Sequence, residues 1–394
     1  MPQALFIEDT RGKAFRTLKR LLIVSFSDLA VDPRVNRQVR LLRDRYRVTA
    51  AGYADPGVAG VEFVRIPRVA SSAVEKLRAA AMLKSGQYER YYWSSPPVAA
   101  AKQLLAARRF DLVLANEVHT LPLALTLVPD CVVLDAHEYS PRELEDDWKW
   151  RFFFQRYVAY LCNQYIPRTA AMTTVCEGIA DEYATQFGER PAVVHNAAWL
   201  ANLVPAPPEG GRLRLVHHGG AIPQRRIELM IEMMAYLEPR FSMDFYLMPT
   251  DPRYLGRLQR MAAGDSRIRF LPPVPMLEIP RMINGYDIGV FLLAPGNFNY
   301  RHALPNKLFE FIQGRVAVAI GPSPEMARLV RQFDCGVVAD DFSPRALAAR
   351  LGAMTSERLD YYKRRSHAAA AEVCYENCSQ TLISVLASVT EPRH

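Results

Sequence analysis

The sequence predicts an α/β protein with two doubly wound parallel-sheet domains that face each other across a cleft. Its 394 residues exceed what one hydrophobic core usually supports. Short runs of β-branched residues alternate with longer helical patterns, as in parallel strands joined by crossover helices. This alternation stops once, at the proline- and glycine-rich segment 197–212, and then restarts, which predicts a linker between two domains.

The first predicted domain covers residues 1–196 and opens on the apolar run RLLIVSF. Strands are predicted at residues 20–26, 47–51, 61–66, 110–115, 131–135, 172–175 and 192–195, and helices at 33–42, 73–84, 94–107, 121–128, 151–166 and 177–187.

The second predicted domain covers residues 213–373 and repeats the alternation. Strands are predicted at 213–218, 245–248, 269–271, 287–293, 316–320 and 336–339, and helices at 225–237, 276–284, 306–313, 323–332, 344–353 and 356–372. Because open parallel sheets bind ligands at the carboxyl ends of their strands, the two halves predict a ligand between the domains.

The composition excludes several classes of protein. Half of the residues are hydrophobic and 23% are charged, as in ordinary soluble globular proteins. The longest apolar runs are strand-sized and the amino terminus has no apolar signal core, so we expect neither a membrane-spanning helix nor secretion. Six cysteines are scattered without clustered histidines, which predicts reduced thiols, no metal site and a cytoplasmic protein.

The net charge of +8 is unevenly distributed. Residues 1–110 carry 20 Lys and Arg against 9 Asp and Glu, whereas residues 111–196 carry 6 against 13. A basic face attracts the phosphates of a nucleotide, a lipid headgroup or a nucleic acid. No nucleic-acid-binding motif accompanies it, so nucleic acid is not an expected partner.

The loop after the first strand, SDLAVDPR, is the first candidate for the wall of the cleft. Asp32 can cap the following helix and Pro33 suits its first turn, so capping alone accounts for both. Capping does not account for Arg34. We therefore expect Asp32 and Arg34 on the first-domain side of the cleft, with simple helix capping as the alternative.

Polar pairs follow two further strands: Asn116 and Glu117 after FDLVLA, and His137 and Glu138 after VVLDA. Because the carboxyl ends of the strands face the mouth of the cleft, these side chains are predicted to line it. Near neutral pH a histidine can orient a hydroxyl group or exchange a proton with it. The alternative is a histidine whose hydrogen bonds are satisfied by the neighbouring carboxylates.

In the second domain the strand LVHHGGA runs into Gly219 and Gly220, and Arg225 follows at a helix start. Glycine lets backbone amides approach a ligand, and a helix start carries a partial positive charge. Arginine can hold a diphosphate through two hydrogen bonds. The segment predicts a phosphate site, and a plain strand-to-helix turn with exposed arginines is the alternative.

The most specific motif is YRHALPNKLFE, in which Pro305 opens an apolar-periodic helix. Asn306 and Lys307 fall in its first turn, where unpaired amides favour an anion and a lysine opposes the helix dipole. A bound phosphate would compensate the positive charge of this lysine at the positive end of the helix dipole. Glu310 lies one turn further on and can accept hydrogen bonds from ribose hydroxyls. The alternative is a surface ion pair between Lys307 and Glu310.

Together these motifs resemble retaining GT-B glycosyltransferases of the family-4 type. The resemblance runs through most of the chain, from DPRV through NE and DAHE to VVHN, PNKLFE and the closing YE. It implies two Rossmann-like domains: residues 1–196 bind an acceptor, 197–212 form the linker, 213–373 bind a nucleoside-diphosphate sugar, and 374–394 cross back to the first domain. It implies no cofactor and no metal ion.

The resemblance also implies roles for single residues. Arg225 matches the basic residue that neutralises the leaving diphosphate, Asn306 and Lys307 match the helix start beside the phosphates, and Glu310 matches a glutamate that contacts the donor. His137 matches the cleft histidine near the transferred sugar. The acceptor-side residues would then be Asp32, Arg34, Asn116, Glu117 and Glu138.

The sequence departs from the family pattern at three places. Gly220 stands where the family often has an arginine, and His302 stands where the first of two paired glutamates is expected. Gly314–Arg315–Val316–Ala317 replaces the usual Gly-x-Pro. These departures bear on the donor sugar more than on the activity. Two alternative functions remain: a sugar-nucleotide epimerase of the same architecture, and a catalytically silent partner subunit.

Two segments that mix aromatic residues with cations, 87–93 and 148–157, are typical of a membrane interface. They predict a protein at the inner face of the membrane, with an anionic membrane surface as a partner and a glycan or lipid-linked acceptor of polysaccharide biosynthesis. The alternative is that Phe152–Phe154 and Tyr157 belong to the core of a long helix.

Overall fold

The computed structural model describes residues 18–70, 72–207 and 211–390. Within them, each half of the chain forms a parallel sheet flanked by helices, which confirms the predicted fold class. The described strands of the first sheet are β1 (Arg20–Val24), β2 (Arg47–Gly52), β3 (Glu62–Arg65), β4 (Leu112–Asn116), β5 (Val132–Ala136), β6 (Ala171–Thr174) and β7 (Ala192–Val193). Their order is β3-β2-β1-β4-β5-β6-β7, and every pairing is parallel.

The helices of the first domain lie between these strands. They are α1 (Pro33–Leu42), α2 (Ala73–Lys84), α3 (Tyr88–Ser94), α4 (Pro96–Leu105), α5 (Leu121–Leu127), α6 (Trp148–Phe153), α7 (Gln155–Tyr165) and α8 (Glu177–Phe187).

The second sheet has the order β10-β9-β8-β11-β12-β13 over its described strands, again all parallel. These are β8 (Leu213–Gly220), β9 (Phe241–Met248), β10 (Ile268–Leu271), β11 (Ile288–Phe291), β12 (Ala317–Ile320) and β13 (Gly336–Val338). The helices are α9 (Glu228–Met233), α10 (Pro252–Ala262), α11 (Ile279–Asn284), α12 (Phe298–Arg301), α13 (Asn306–Gln313), α14 (Pro324–Phe333), α15 (Pro344–Gly352), α16 (Ser356–Ala369), α17 (Tyr375–Cys378) and α18 (Gln380–Thr390).

Both faces of the first sheet are buried, because helices cover it on either side. Leu22 and Val24 of β1 pack into one hydrophobic cluster, whereas Leu21 and Ile23 pack into another, as the alternation of side chains along a strand requires. All four are fully buried. Two leucines of α18 join the second cluster, so this helix crosses back from the second domain to the first.

The predicted strands all appear, with ends displaced by a few residues, but several helices differ from prediction. The helix predicted at 225–237 is broken because Arg226 adopts a left-handed conformation with φ +48°, and α9 begins only after it. The helix predicted at 151–166 is two helices that meet at Phe154. α3, α10 and α12 are not among the predicted helices, although Asp251 caps α10 as a helix-start signal should.

The domains touch each other beside the cleft. Asn299 of α12 is buried and accepts a hydrogen bond from the Tyr139 backbone N–H at 2.8 Å. Its amide nitrogen donates to the Tyr139 carbonyl at 3.3 Å. Glu325 of α14 accepts from the Gly178 backbone N–H in the first turn of α8 at 2.9 Å, where the helix dipole favours a carboxylate. These bonds hold the two domains in a closed arrangement.

A side chain at Gly178 should therefore open the cleft. Its Cβ would lie 2.1 Å from His302 Nδ1 and 2.8 Å from Glu325 Oε1, both in the second domain. We expect Gly178→Val to raise the radius of gyration in small-angle X-ray scattering with little change in secondary structure. Gly256→Val is the matched control, because the nearest atom to its Cβ is 3.6 Å away within α10. An unchanged scattering profile for Gly178→Val would contradict the prediction.

Candidate active site

A cavity of about 240 Å³ lies between the two domains at the carboxyl ends of both sheets. The first domain contributes side chains that follow β5 and β6, and the second contributes α12 and the start of α13. The lining residues are His137, Glu138, Val175, Ile179, Asn196, Arg225, Phe291, Leu293, Asn299, Tyr300, His302, Ala303, Leu304, Pro305 and Asn306. This is the place where open parallel sheets bind ligands.

His137 is the central polar residue on the first-domain side. Its Nε2 lies 3.0 Å from Asn116 Oδ1 and 3.3 Å from Asp135 Oδ2, and its Nδ1 lies 3.3 Å from Glu117 Oε1. Burial opposes the charged imidazole, but Glu117 and Asp135 outweigh it and raise the pKa of His137. Neighbouring carboxylates and an amide therefore orient the ring, and its side chain remains 19% exposed to the cleft.

Glu117 is held in an unusual environment. Its backbone has φ +66° and ψ 151°, a region that residues with a side chain rarely occupy. Burial raises the pKa of its carboxyl to about 8, although His137 acts in the opposite direction. Burial also raises the pKa of Glu138, which lines the cavity. The charges of His137 and Arg225 reduce that increase. Strain of this kind persists where the surrounding structure fixes a functional geometry.

Arg34 lies inside the first domain instead of at the surface of the cleft. It is 3% exposed, and its Nε and one terminal nitrogen each donate to Asp135 at 2.6 Å. Its other terminal nitrogen donates to the Val194 carbonyl at 2.9 Å. Asp32 caps α1 by accepting from the Arg34 and Val35 backbone, and it does not line the cavity. Asp32 is therefore a helix cap, as the alternative predicted. Arg34 does not reach the cavity and instead holds Asp135 at the end of β5.

On the second-domain side two cations converge on one glycine. Gly219 is the next-to-last residue of β8 and has φ +127°. A Cβ there would lie 3.3 Å from Lys307 Nζ and 3.6 Å from an Arg225 terminal nitrogen. Across the part of the chain that the structure describes, neither cation forms an ion pair or hydrogen bond. Lys307 Nζ lies 3.9 Å from the centre of the Phe291 ring, a residue that also lines the cavity.

Both cations carry an electrostatic cost in this arrangement. Lys307 is 4% exposed, and burial together with the charge of Arg225 holds its pKa well below the usual range. Burial also lowers the pKa of Arg225. Lys307 follows the first residue of α13, whose amino end has no side-chain cap. An anion beside Gly219 would neutralise both cations and accept hydrogen bonds from the free amides.

Glu310 lies about one turn beyond Asn306 and Lys307 on the same face of α13 and does not line the cavity. It is 4% exposed, so the surface ion pair with Lys307 is not formed. Its carboxyl lies 3.4 Å from His218 Nε2, and burial raises its pKa to about 7, against the effect of Arg37 and Lys307. Gly220 packs closely on Thr250, whose hydroxyl would lie 2.7 Å from an added Cβ.

The architecture is similar to that of several solved structures. HepE from Anabaena, in complex with UDP and glucose, aligns with a TM-score of 0.69 and 16% identity over 94% of this chain and 100% of that chain. Sucrose-phosphate synthase from Thermosynechococcus elongatus aligns with a TM-score of 0.72 and 12% identity over 94% and 99%. WaaG, a glycosyltransferase involved in lipopolysaccharide biosynthesis, aligns with a TM-score of 0.65 and 12% identity over 93% and 98%.

The chain has the GT-B fold. No family model and no curated relative matches the sequence, so these likenesses at low identity establish the architecture alone. In the described part of this GT-B chain, no group of three or more His, Cys, Asp or Glu side chains could hold a metal ion.

His302 takes part in the contact between the GT-B domains as well as in the cavity wall. Its ring packs on Phe298 at 4.6 Å between centroids, and its Nδ1 lies 3.8 Å from Glu325 Oε1. Its backbone carbonyl accepts from the Cys176 thiol at 3.2 Å. This histidine thus joins α12 to the start of α8 in the first domain.

The sequence-based assignment of site residues omitted Arg37, which bonds to Asn306 of the cavity wall, and the lining residues Asn196, Asn299 and Tyr300. Arg37 lies one turn after Arg34 on α1 and is 2% exposed, whereas Arg40, one turn further, bonds Asn36 instead. Nothing in the local sequence separates the buried arginine from its neighbour. Asn299 and Tyr300 lie in α12, which was too short to be detected by periodicity.

The raised pKa of Glu117 predicts a stability that depends on pH. A glutamate in the unfolded chain has a pKa near 4.3, so the folded state holds the proton more tightly. The contribution of Glu117 to the free energy of unfolding is fully present below the pKa of the unfolded chain. It is lost as pH rises through about 8. We expect the free energy of unfolding in urea to fall between pH 6 and pH 9, and Glu117→Gln to reduce that fall.

The control is Glu232→Gln, an exposed carboxylate on α9, which should leave the pH dependence unchanged. If Glu117→Gln and the parent lost stability equally over this range, the Glu117 carboxyl would not be the group that titrates.

Proposed function

We propose that this protein is a glycosyltransferase that moves a sugar from a nucleoside-diphosphate sugar to a hydroxyl acceptor. The observation that carries the proposal is that the buried Lys307 and the half-buried Arg225 converge on Gly219 at the interdomain cleft, and that neither side chain has an ion-pair partner among the described residues. Buried cations without anions are costly, and a diphosphate is the ligand that would compensate two of them at once.

The position of the cations supports transfer chemistry as well as binding. Negative charge grows on the diphosphate as the bond to the sugar breaks. Lys307, Arg225 and the amides at the start of α13 therefore stabilise the transition state more than the ground state. Two protein cations supply the countercharge there, which supports our proposal that the reaction proceeds without a metal ion.

The first-domain wall supports an acceptor role. His137 and Glu138 line the cavity together with Arg225, and this polar wall is where we place the acceptor hydroxyl. The sugar would lie between these residues and α12. The resemblance to family-4 enzymes in DAHE and PNKLFE supports transfer with retention of configuration.

The structural neighbours support the donor class and the kind of acceptor. HepE was crystallised with UDP, with UDP-glucose and with UDP and glucose, and WaaG acts in lipopolysaccharide biosynthesis. We propose a glycan or a lipid-linked glycan as the acceptor of this chain, at the cytoplasmic face of the membrane.

A surface formed by α2 and α6 supports the membrane part of this proposal. Leu77 and Val74 on α2 are 74% and 58% exposed, and Trp148 and Phe152 on α6 are 63% and 57% exposed. The Lys84 ammonium lies 4.5 Å from the Phe152 ring centre. Exposed apolar side chains with cations beside them suit an anionic lipid surface. No described helix is long and apolar enough to cross a membrane.

The aromatic segments divide between surface and core. The core alternative holds for Tyr157, which is buried, but not for Phe152 and Phe154, which are 57% and 36% exposed. Trp150 is also buried, whereas Trp148 is exposed. In the earlier segment Tyr91 packs on Tyr157, with ring centroids 4.9 Å apart. The α2–α6 surface is therefore the part of these segments that supports membrane contact.

Replacing Lys307 with alanine should lower turnover roughly a hundredfold or more, because one contact to the developing charge is lost. The measurement is release of nucleoside diphosphate from UDP-glucose and related donors in the presence of a membrane-lipid extract. Arg225→Ala should lower turnover to a similar extent, for the same reason.

Arg226→Ala is the matched control: this neighbour is exposed and should keep full activity. Intact turnover in Lys307→Ala would refute the role of the cation pair. Tight nucleotide binding without any transfer by the parent protein would instead indicate a silent partner subunit.

The α2–α6 surface should bind anionic vesicles at low salt. We expect sedimentation with vesicles that contain phosphatidylglycerol and weaker binding to phosphatidylcholine alone. The double substitution Leu77→Ser and Trp148→Ser should weaken partitioning by about tenfold or more, since two apolar side chains lose their burial. Tyr236→Ser, at an exposed aromatic of the second domain, is the control. No sedimentation of the parent at low salt would remove the membrane from the proposal.

A further inference from the structure

One arginine of the first domain is shared by two asparagines that line the cavity. Arg37 lies on α1 and is 2% exposed. A single terminal nitrogen of its guanidinium donates to the side-chain oxygen of Asn196 and, at 3.2 Å, to that of Asn306. Asn196 follows β7 of the first sheet, whereas Asn306 is the first residue of α13. Arg37 therefore joins two parts of the cavity wall that are remote in sequence.

These hydrogen bonds decide which end of each side-chain amide is free. An asparagine amide has one accepting oxygen and one NH2 group with two donors. Because the oxygens of Asn196 and Asn306 accept from Arg37, their NH2 groups are left to donate. Neither NH2 group has a hydrogen-bond partner among the described residues, and both side chains are half-buried. Two unused donor groups are thus held at the cavity wall.

Arg37 differs in its partners from Arg34, one turn earlier on α1. Arg34 is neutralised by Asp135, to which it donates two hydrogen bonds at 2.6 Å. Within residues 18–70, 72–207 and 211–390, Arg37 forms no ion pair. Its positive charge polarises the amides that accept from it, and this strengthens their NH2 groups as donors. The two asparagines are therefore prepared for a ligand that accepts hydrogen bonds.

The cavity places these donors beside the cation pair. Arg225 lines the same cavity, and Lys307 follows Asn306 in the first turn of α13. This end of the cavity offers a guanidinium, an ammonium, two NH2 groups and the free backbone N–H groups of a helix start. An anion with several oxygens can accept from all of them, and a diphosphate has that chemistry.

We propose that Arg37 is a positioning residue for the diphosphate: it holds Asn196 and Asn306 so that their NH2 groups donate to phosphate oxygens. This inference rests on the proposed function, because it adds donors to the same phosphate site. Asn196 contributes a contact from the first domain. The diphosphate is therefore held by both halves of the closed protein.

Isothermal titration calorimetry with inorganic pyrophosphate tests these contacts without a nucleoside, and UDP is titrated in parallel because it carries the same diphosphate. Arg37→Met should weaken the binding of both probes by about tenfold or more, since two amides lose their fixed orientation. Asn196→Ala should weaken it by about threefold or more, because one donor is lost. The double variant Asn196→Ala/Asn306→Ala should lose at least as much affinity as Arg37→Met.

Combined substitutions separate a positioning role from a general disturbance of the closed structure. If Arg37 acts through the two asparagines, adding Arg37→Met to the double alanine variant should change the affinity by no more than about twofold, as expected of a distant, screened charge. A general disturbance would multiply the two losses, and that result would contradict the inference. Arg37→Gln, which keeps a polar side chain, takes the place of Arg37→Met if circular dichroism shows that the methionine variant is unfolded.

Arg40→Met is the matched control. Arg40 lies one turn further along α1, bonds Asn36 on the same helix and does not line the cavity. This variant should bind pyrophosphate and UDP as the parent does.

The outcomes that overturn each proposal differ. If the parent bound neither pyrophosphate nor UDP, the proposed function would fail. If the parent bound them and Arg37→Met bound them equally tightly, only the role of Arg37 would fail. Parent-like binding by Asn196→Ala would overturn the assignment of Asn196 to the phosphate site.

Discussion

The first-domain side of the cleft depends on one buried carboxylate, that of Asp135 at the end of β5. It accepts two hydrogen bonds from Arg34 at 2.6 Å, one from Gln38 at 2.5 Å and one from the Thr173 hydroxyl at 2.6 Å. These bonds tie α1, β5 and β6 together, and the nearby charge of Arg34 keeps the pKa of the carboxyl low despite burial. With Asp135 fully paired, His137 two residues later is held at the mouth of the cleft.

The second domain differs from the first in that, within the described chain, the cations at its side of the cleft are not paired. At the cleft it places the buried Lys307 beside the half-buried Arg225, and neither side chain forms an ion pair among the described residues. Such an arrangement is stable only because the fold around it is large and well packed, and it prepares the site for a negatively charged ligand. The paired charge of the first domain fixes geometry, whereas the unpaired charge of the second provides binding energy.

Arg37 connects these two halves. It extends from α1, the helix that also carries Arg34, and reaches Asn196 before the linker and Asn306 at the start of α13. Arg37 therefore belongs to the same closed arrangement of the domains that α12 and Glu325 support. Ligand binding and domain closure are linked when one residue belongs to both, because the ligand stabilises only the conformation that presents that residue.

The sequence by itself determined the order of the strands along the chain and the helix that opens at PNK, because periodicity, caps and glycine turns are local signals. It also placed His137, Arg225 and Lys307 at ends of strands and starts of helices that the structure brings to one cleft. Only the tertiary structure decided which polar groups are paired. Arg34 is satisfied by Asp135, while Arg37, three positions later, meets Asn306 from 269 positions away. Such partners are set by packing between remote elements, and no local pattern encodes them.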